Sequence, residues 1–252
     1  SAALLDGNVV VIGGGNVAID VARTAVRTGA GKIGMFCLES EKEMPALPEE
    51  IHEANSENIS IGNGWGPKRI VGDSGRFHAV EFKRCVSVFD ENHRFAPKYD
   101  EADTITVPAD HVLVSVGQSI DWGGLLEGSR VELNPNRTVR ADGFTYQTGE
   151  PDVFAGGDAY TGPRFAVDAI AAGKEAAVSI HRYVQPGQSL VIGRDRRDYR
   201  AFDKKNLIIE GSDVTPRQHA AEVKGENAKA SLVDLRVPFT EEQPIKETSR
   251  CL

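Results

Sequence analysis

An apolar run at Asn8 to Ile12 (NVVVI) breaks off at three glycines, and apolar residues then recur at helical spacing through Val17, Val21, Ala25 and Val26. The run reads as a buried strand and the stripe as a helix from Asn16 to about Thr28, stopped by Gly29 and Gly31. A second apolar stretch, KIGMFCL at 32 to 38, completes a βαβ unit and therefore predicts a parallel sheet. Pro45 and Pro48 interrupt the chain, a short helix is expected near Glu49 to Asn55, and Ile59-Ser60-Ile61 reads as a short strand.

From Gly66 to Phe95 the period changes to alternation, with Phe77, Val80, Phe82, Cys85 and Val88 spaced among polar residues, which predicts an antiparallel hairpin or meander. Residues 97 to 108 are polar and are expected to form an exposed loop. Ala109 to Val116 reads as a buried strand ending at Gly117. Short strands are expected at 131–133 and 138–139 around the turn Asn134-Pro135-Asn136, and a last one at Asp152 to Ala155. An alanine-rich helix follows at Ala166 to Tyr183. Beyond Gln185 the chain turns polar, and its basic cluster (Arg194, Arg196, Arg197, Arg200, Lys204, Lys205) reads as a solvated face or a subunit contact, which leaves a homo-oligomer open.

Composition narrows the function classes. With 252 residues, 40% apolar, 26% charged and a net charge of −8, the chain is an ordinary globular protein of one or two domains with no electrostatic reason to bind nucleic acid. No apolar stretch approaches the length of a membrane span and no secretory leader is visible, so a cytoplasmic setting is expected. Cys37, Cys85 and Cys251 are odd in number and far apart, fitting neither a disulfide framework nor a zinc site, and the six histidines lack metal-ligand spacing.

Two stretches carry candidate chemistry. Gly13-x-Gly15-x-x-Ala18 lies between a strand and a helix, the context of a pyrophosphate-binding turn: Gly13 permits the tight turn, Gly15 lets the backbone approach phosphate, and Ala18 permits close helix packing. Gly14, Asn16 and Val17 complete that candidate site. The plain alternative is a glycine-rich turn without a ligand. Glu39, directly after the second strand, stands where an acidic side chain accepts from the adenosine ribose hydroxyl and repels a 2′-phosphate, so NAD(H) is expected over NADP(H). In the second stretch, VFAGGDAYTGP, a predicted strand delivers Gly157 and Asp158, and the helix beginning at Ala166 and Val167 could face a flat ring system. A core helix after a turn is the alternative there.

The segments VVVIGGGNVAIDVARTAVRTGA, EMPA at 43–46, KRCVSVFDE, VLVSVGQ at 112–118 and VFAGGDAYTGP occur in an order that resembles the glutamate synthase small-subunit family, flavoproteins with two dinucleotide-binding domains. The resemblance implies an α/β fold: a Rossmann-like NAD(P)-binding domain with a β-meander insertion at 6–117, the second half of an FAD-binding domain at 118–184, and a polar peripheral tail at 185–252. It implies that Gly117, Gly157, Asp158, Ala166 and Val167 belong to the cofactor sites. The family's first GxGxxG is absent, which suggests a C-terminal fragment holding FAD only in the full-length protein. Leu38-Glu39 replaces the two arginines of NADPH-using relatives, and Ser249-Arg250-Cys251-Leu252 resembles the start of an iron-sulfur segment.

The expected function is hydride transfer between NADH and FAD, with electrons passing on to an iron-sulfur domain or a partner subunit. No catalytic side chain is expected, since positioning does the work. Two alternatives remain open: a non-catalytic dinucleotide-binding or assembly module, and a self-contained NAD-dependent dehydrogenase, for which no acid or base near the glycines is found.

Overall fold

Val9 and Val11 pack against helices while Val10 and Ile12 pack against a separate sheet, so the first strand is buried on both faces and its apolar run needs no alternation. In the computed structural model, which describes residues 4–194, 203, 215–221, 223 and 236–249, this strand is β1 (Asn8–Ile12). The chain continues through α1 (Asn16–Arg27), β2 (Lys32–Cys37), α2 (Pro48–Ser56), β3 (Ser60–Asn63), β4 (Trp65–Asp73), β5 (Arg76–Phe89), β6 (Phe95–Pro108) and β7 (His111–Val114). A parallel sheet in the order β3-β2-β1-β7 joins β1 to both β2 and β7, and β4-β5-β6 form an antiparallel meander.

The helices cover one face of the parallel sheet and the meander covers the other. On the helical side Val9, Val11, Ile33 and Met35 meet Ala18, Ile19, Ala22 and Ala25 of α1. On the meander side Phe36 stacks on Phe82 with ring centroids 4.4 Å apart. A Cβ at Gly34 or Gly62 would strike the Phe36 ring, at 2.9 and 2.6 Å, so both glycines make room for it. The α1 and α2 helices are tied by a half-buried ionic network, in which Arg23 and Arg27 hold Glu57, and Arg23 also pairs with Glu53. Burial raises the Glu57 pKa, but hydrogen bonds from Arg27 and Arg23 outweigh it and hold the carboxyl below its ordinary value.

Several expectations are corrected. Residues 97–108 lie within strand β6, whose pairing with β5 replaces the expected loop. Asp152 to Ala155 forms no strand, since Phe154 makes a single bridge to Gln147, and the short strands at 131–133 and 138–139 reduce to one bridge between Leu133 and Val139. Val17, expected on the buried stripe, is 66% exposed, because Ala18, Ile19, Ala22 and Ala25 form the inward face instead.

The described residues divide into two compact units at Gly117 and Gln118, the first also taking in those from 215 onward. The second unit carries α3 (Asp158–Thr161) and α4 (Ala166–Tyr183), and α5 (Glu242–Thr248) belongs to the first. Arg194 is not solvated as expected: its side chain lies over the Phe144 ring and donates to Ser179 Oγ at 2.6 Å and to the Glu175 carboxylate at 2.8 Å. Arg196, Arg197, Arg200, Lys204, Lys205 and Cys251 lie outside the described residues. Among the described residues no helix is long and apolar enough to cross a membrane, and no group of His, Cys, Asp and Glu could hold a metal ion.

Candidate functional site

Strand β1 ends in a turn whose three glycines serve three different purposes. Gly13 has φ +145°, a conformation that favours glycine, and a Cβ there would lie 2.3 Å from the Ser115 carbonyl oxygen and 3.2 Å from the Ala18 Cβ. Ala18 is fully buried, so Gly13 and Ala18 together let α1 approach the sheet edge closely. Gly14 faces β2: its Cβ would lie 2.8 Å from the Cys37 Cβ and 3.0 Å from Glu39 Oε2. Gly15 is the N-cap of α1, with φ −89° and ψ 174°, and a Cβ there would meet nothing within 4 Å.

That open space lies at the start of a twelve-residue helix with no side-chain cap. The first two helical amides that turn back, those of Ala18 and Ile19, donate to the Gly15 carbonyl, while the N–H groups of Gly15, Asn16 and Val17 have no acceptor among the described residues. Uncapped N–H groups, the positive end of a helix dipole and an unfilled cradle suit a phosphate. The residues present therefore fit a dinucleotide pyrophosphate.

The loop after β2 is fastened to this turn. Ala46 N–H donates to the Gly14 carbonyl at 3.1 Å, and Leu47 N–H donates to Asn16 Oδ1 at 2.8 Å. Met44 and Ala46 are buried and Pro48 opens α2, which gives the EMPA segment a structural purpose that its sequence did not reveal. The Asn16 side-chain oxygen is thus occupied by the loop, leaving its backbone N–H to face the cradle.

Glu39 is half-buried at the end of β2, its carbonyl accepting from Gly64 N–H at 3.0 Å and from Asn63 Nδ2 at 3.3 Å. The structure therefore brings Gly13, Gly14, Gly15, Asn16, Val17, Ala18 and Glu39 together at one sheet edge. Burial, and then the Glu39 charge, push the Cys37 thiol up to about 11, and burial also raises Cys85. Burial thus disfavours the thiolate, the nucleophilic form, at both positions. Gly117 follows β7 on exposed chain, two residues beyond the Ser115 carbonyl that crowds Gly13.

In the second unit, Gly157 adopts φ +63°, and a Cβ on Gly156 would come 3.1 Å from the Ala172 Cβ. Asp158 is exposed, and among the described residues its Oδ1 accepts only a long 3.4 Å bond from Arg164 N–H. Ala166 and Val167 open α4, which has no side-chain cap. The helix buries only Ala172, Ala176 and Ser179, whereas Phe165, Val167 and Ile170 are 66%, 67% and 63% exposed. Sequence reading missed the pairing of Trp65 with Arg84 beside the first site, because an indole at a strand start and a Lys-Arg pair in a strand carry no motif.

The model of a family described as pyridine nucleotide-disulphide oxidoreductase matches residues 1–173. The chain is 35% identical to the NADP(+)-dependent formate dehydrogenase subunit beta of Moorella thermoacetica, over 77% of this chain and 27% of that protein. It is 30% identical to the glutamate synthase [NADPH] small chain of Halomonas elongata, over 70% of this chain and 38% of that one. It thus spans well under half the length of these relatives. Thioredoxin reductase of T. acidophilum shares the fold, with a TM-score of 0.57 at 23% identity, over 69% of this chain and 51% of that one.

Proposed function

The chain belongs to the pyridine nucleotide-disulphide oxidoreductase family, and we propose that it is the NAD(P)H-binding portion of a flavoprotein oxidoreductase. In this reading it positions NADH for hydride transfer to FAD, and electrons pass on to an iron-sulfur domain or a partner subunit in a cytoplasmic enzyme. The observation that carries it is the open cradle at Gly15, where backbone donors at the head of α1 face a space no side chain fills.

The chain's own residues bind and orient. Gly15, Asn16 and Val17 offer N–H groups to the pyrophosphate, and Glu39 accepts from the adenosine ribose. When bound, FAD supplies the hydride acceptor and a path for single electrons. In the second unit, Gly157 and Asp158 with the first turn of α4 are the returning flavin segment. The exposed Phe165, Val167 and Ile170 support that assignment, since such a run on one helix calls for a covering surface. The NADH preference departs from the two relatives named for NADP(H) and rests on Glu39.

The test is calorimetric titration of the purified chain with NADH, alongside dye reduction by the full-length protein. Saturable NADH binding with NADH-dependent dye reduction is expected. Binding without turnover would favour the non-catalytic module, and no binding would remove the site from the glycine turn.

A further inference from the structure

Where β3 ends, the chain turns through Gly64 into Trp65, and a guanidinium from β5 lies on the indole, with Arg84 Cζ 3.6 Å from the ring centroid. Arg84 Nε donates to Asp103 Oδ2 at 3.0 Å, and neither Nη group has an acceptor among the described residues. Arg84 Nη1 is 3.4 Å from the point a Gly64 Cβ would occupy, and Gly64 N–H donates to the Glu39 carbonyl. A single turn residue therefore links this cation to the backbone of the carboxylate expected to read the ribose. Three other cations of the meander are engaged elsewhere, Lys83 with Glu101 and the Tyr99 ring, and Lys68 and Arg69 both with Glu81, while the exposed Lys42, in the loop after Glu39, lacks the ring and carboxylate that hold Arg84. Strands β1, β2 and β3 run parallel and end at this edge, where ligands of open α/β sheets lie.

We propose that Arg84 is a second specificity-determining residue of the dinucleotide site, its Nη groups receiving the adenosine 2′-phosphate of NADP(H). The proposal rests on the dinucleotide reading of the glycine turn. A guanidinium matches phosphate geometry better than an ammonium does. The indole beneath it and the bond to Asp103 hold it before the ligand arrives, so little side-chain freedom is lost on binding. Its side chain is 38% exposed, which leaves it accessible from solvent. Glu39 and Arg84 then act on one nucleotide position in opposite senses, the carboxylate favouring a hydroxyl and the guanidinium a phosphate. Together they set the affinity ratio.

The test is calorimetric titration of the unmodified chain, Arg84→Gln and Arg84→Lys with NADH and NADPH separately, with circular dichroism confirming that each variant is folded. Arg84→Gln should weaken NADPH about tenfold or more while leaving NADH within about twofold, as expected for loss of hydrogen bonds to a charged group. Arg84→Lys should recover part of the NADPH affinity, because the charge remains. Equal losses for both nucleotides, or no loss for NADPH, would overturn the proposal. If the unmodified chain binds neither nucleotide, the glycine-turn reading itself fails and the proposal falls with it.

Discussion

Glu39 and Gly14 occupy one another's space: Glu39 Oε2 lies 3.0 Å from where a Cβ on Gly14 would stand. The glycine is there to admit the carboxylate and the Cys37 side chain, not to supply an unusual backbone angle. Gly14→Ala should therefore displace Glu39. Thermal melts should show a loss of about 1 to 3 kcal/mol, typical of overpacking, and competition titration should show a smaller affinity ratio between NADH and NADPH.

Cofactor choice tests Glu39 directly. NADH should bind about tenfold or more better than NADPH, since a hydrogen bond to a charged group contributes about 1.5 to 3 kcal/mol and the same charge repels a phosphate. Glu39→Arg should reverse the order. Leu38 is left alone, because its Cδ2 packs 2.9 Å from the point of a Gly66 Cβ, and an arginine there would disturb the contact with the meander. A ratio of NADH to NADPH affinity that Glu39→Gln leaves unchanged would show that Glu39 does not read the ribose.

Gly15→Val tests the cradle. With extended backbone angles and no atom within 4 Å of the new Cβ, the variant should keep its circular dichroism spectrum. The branched side chain would fill the phosphate space, so calorimetry should show no heat on adding NADH. Unchanged affinity would place the site elsewhere.

How much of this could be read from the sequence depended on whether a segment carries its own pattern. The βαβ unit was legible because β1 is apolar on both faces and its glycines punctuate it. Strand β6 was not. It has few inward apolar residues, Ile105 and Val107 among them, and its acidic residues are answered across the ladder by Lys83 to Glu101 and Arg84 to Asp103. Those charges look like a loop until the partner strand is known. In the site, the glycine spacing announced the turn and the strand end announced Glu39. The fastening of Asn16 to Leu47, and the burial of Arg194 against Phe144, depend on residues distant in sequence and left no trace in either pattern.

Acid should loosen the α1 and α2 pair. Glu57 has a lowered pKa in the folded state, so it binds protons more weakly there than in the unfolded chain. Its stabilisation is complete above the ordinary carboxylate pKa and disappears as pH falls through the folded value. Denaturant unfolding monitored against pH should show this decline. Glu57→Ala should flatten it and destabilise the chain at neutral pH, because the bonds that Arg23 and Arg27 make to Glu57 are lost while Arg23 keeps its pairing with Glu53.

Flavin retention tests the second unit. The chain has one glycine turn of the pyrophosphate type, assigned to NAD(P)H, and α4 leaves Val167 and Ile170 uncovered. Purified with added FAD and desalted, the 252-residue chain should show far less than one flavin per protein by visible absorbance. Stoichiometric flavin would contradict the assignment.

The pairing of β1 with β7 has a kinetic consequence. Ile12 and Val114 lie side by side in the sheet, yet the whole meander is synthesised between them. At about 5 to 20 residues per second, ribosomal synthesis leaves one edge of β1 without its neighbour for about 5 to 20 seconds. The meander, whose hairpins close over short separations, can form during that interval, and its Val80 and Phe82 then offer a surface on which β1 waits. The strand order thus predicts that β7 is the last strand to join the parallel sheet, at the edge of β1 beside the glycine turn.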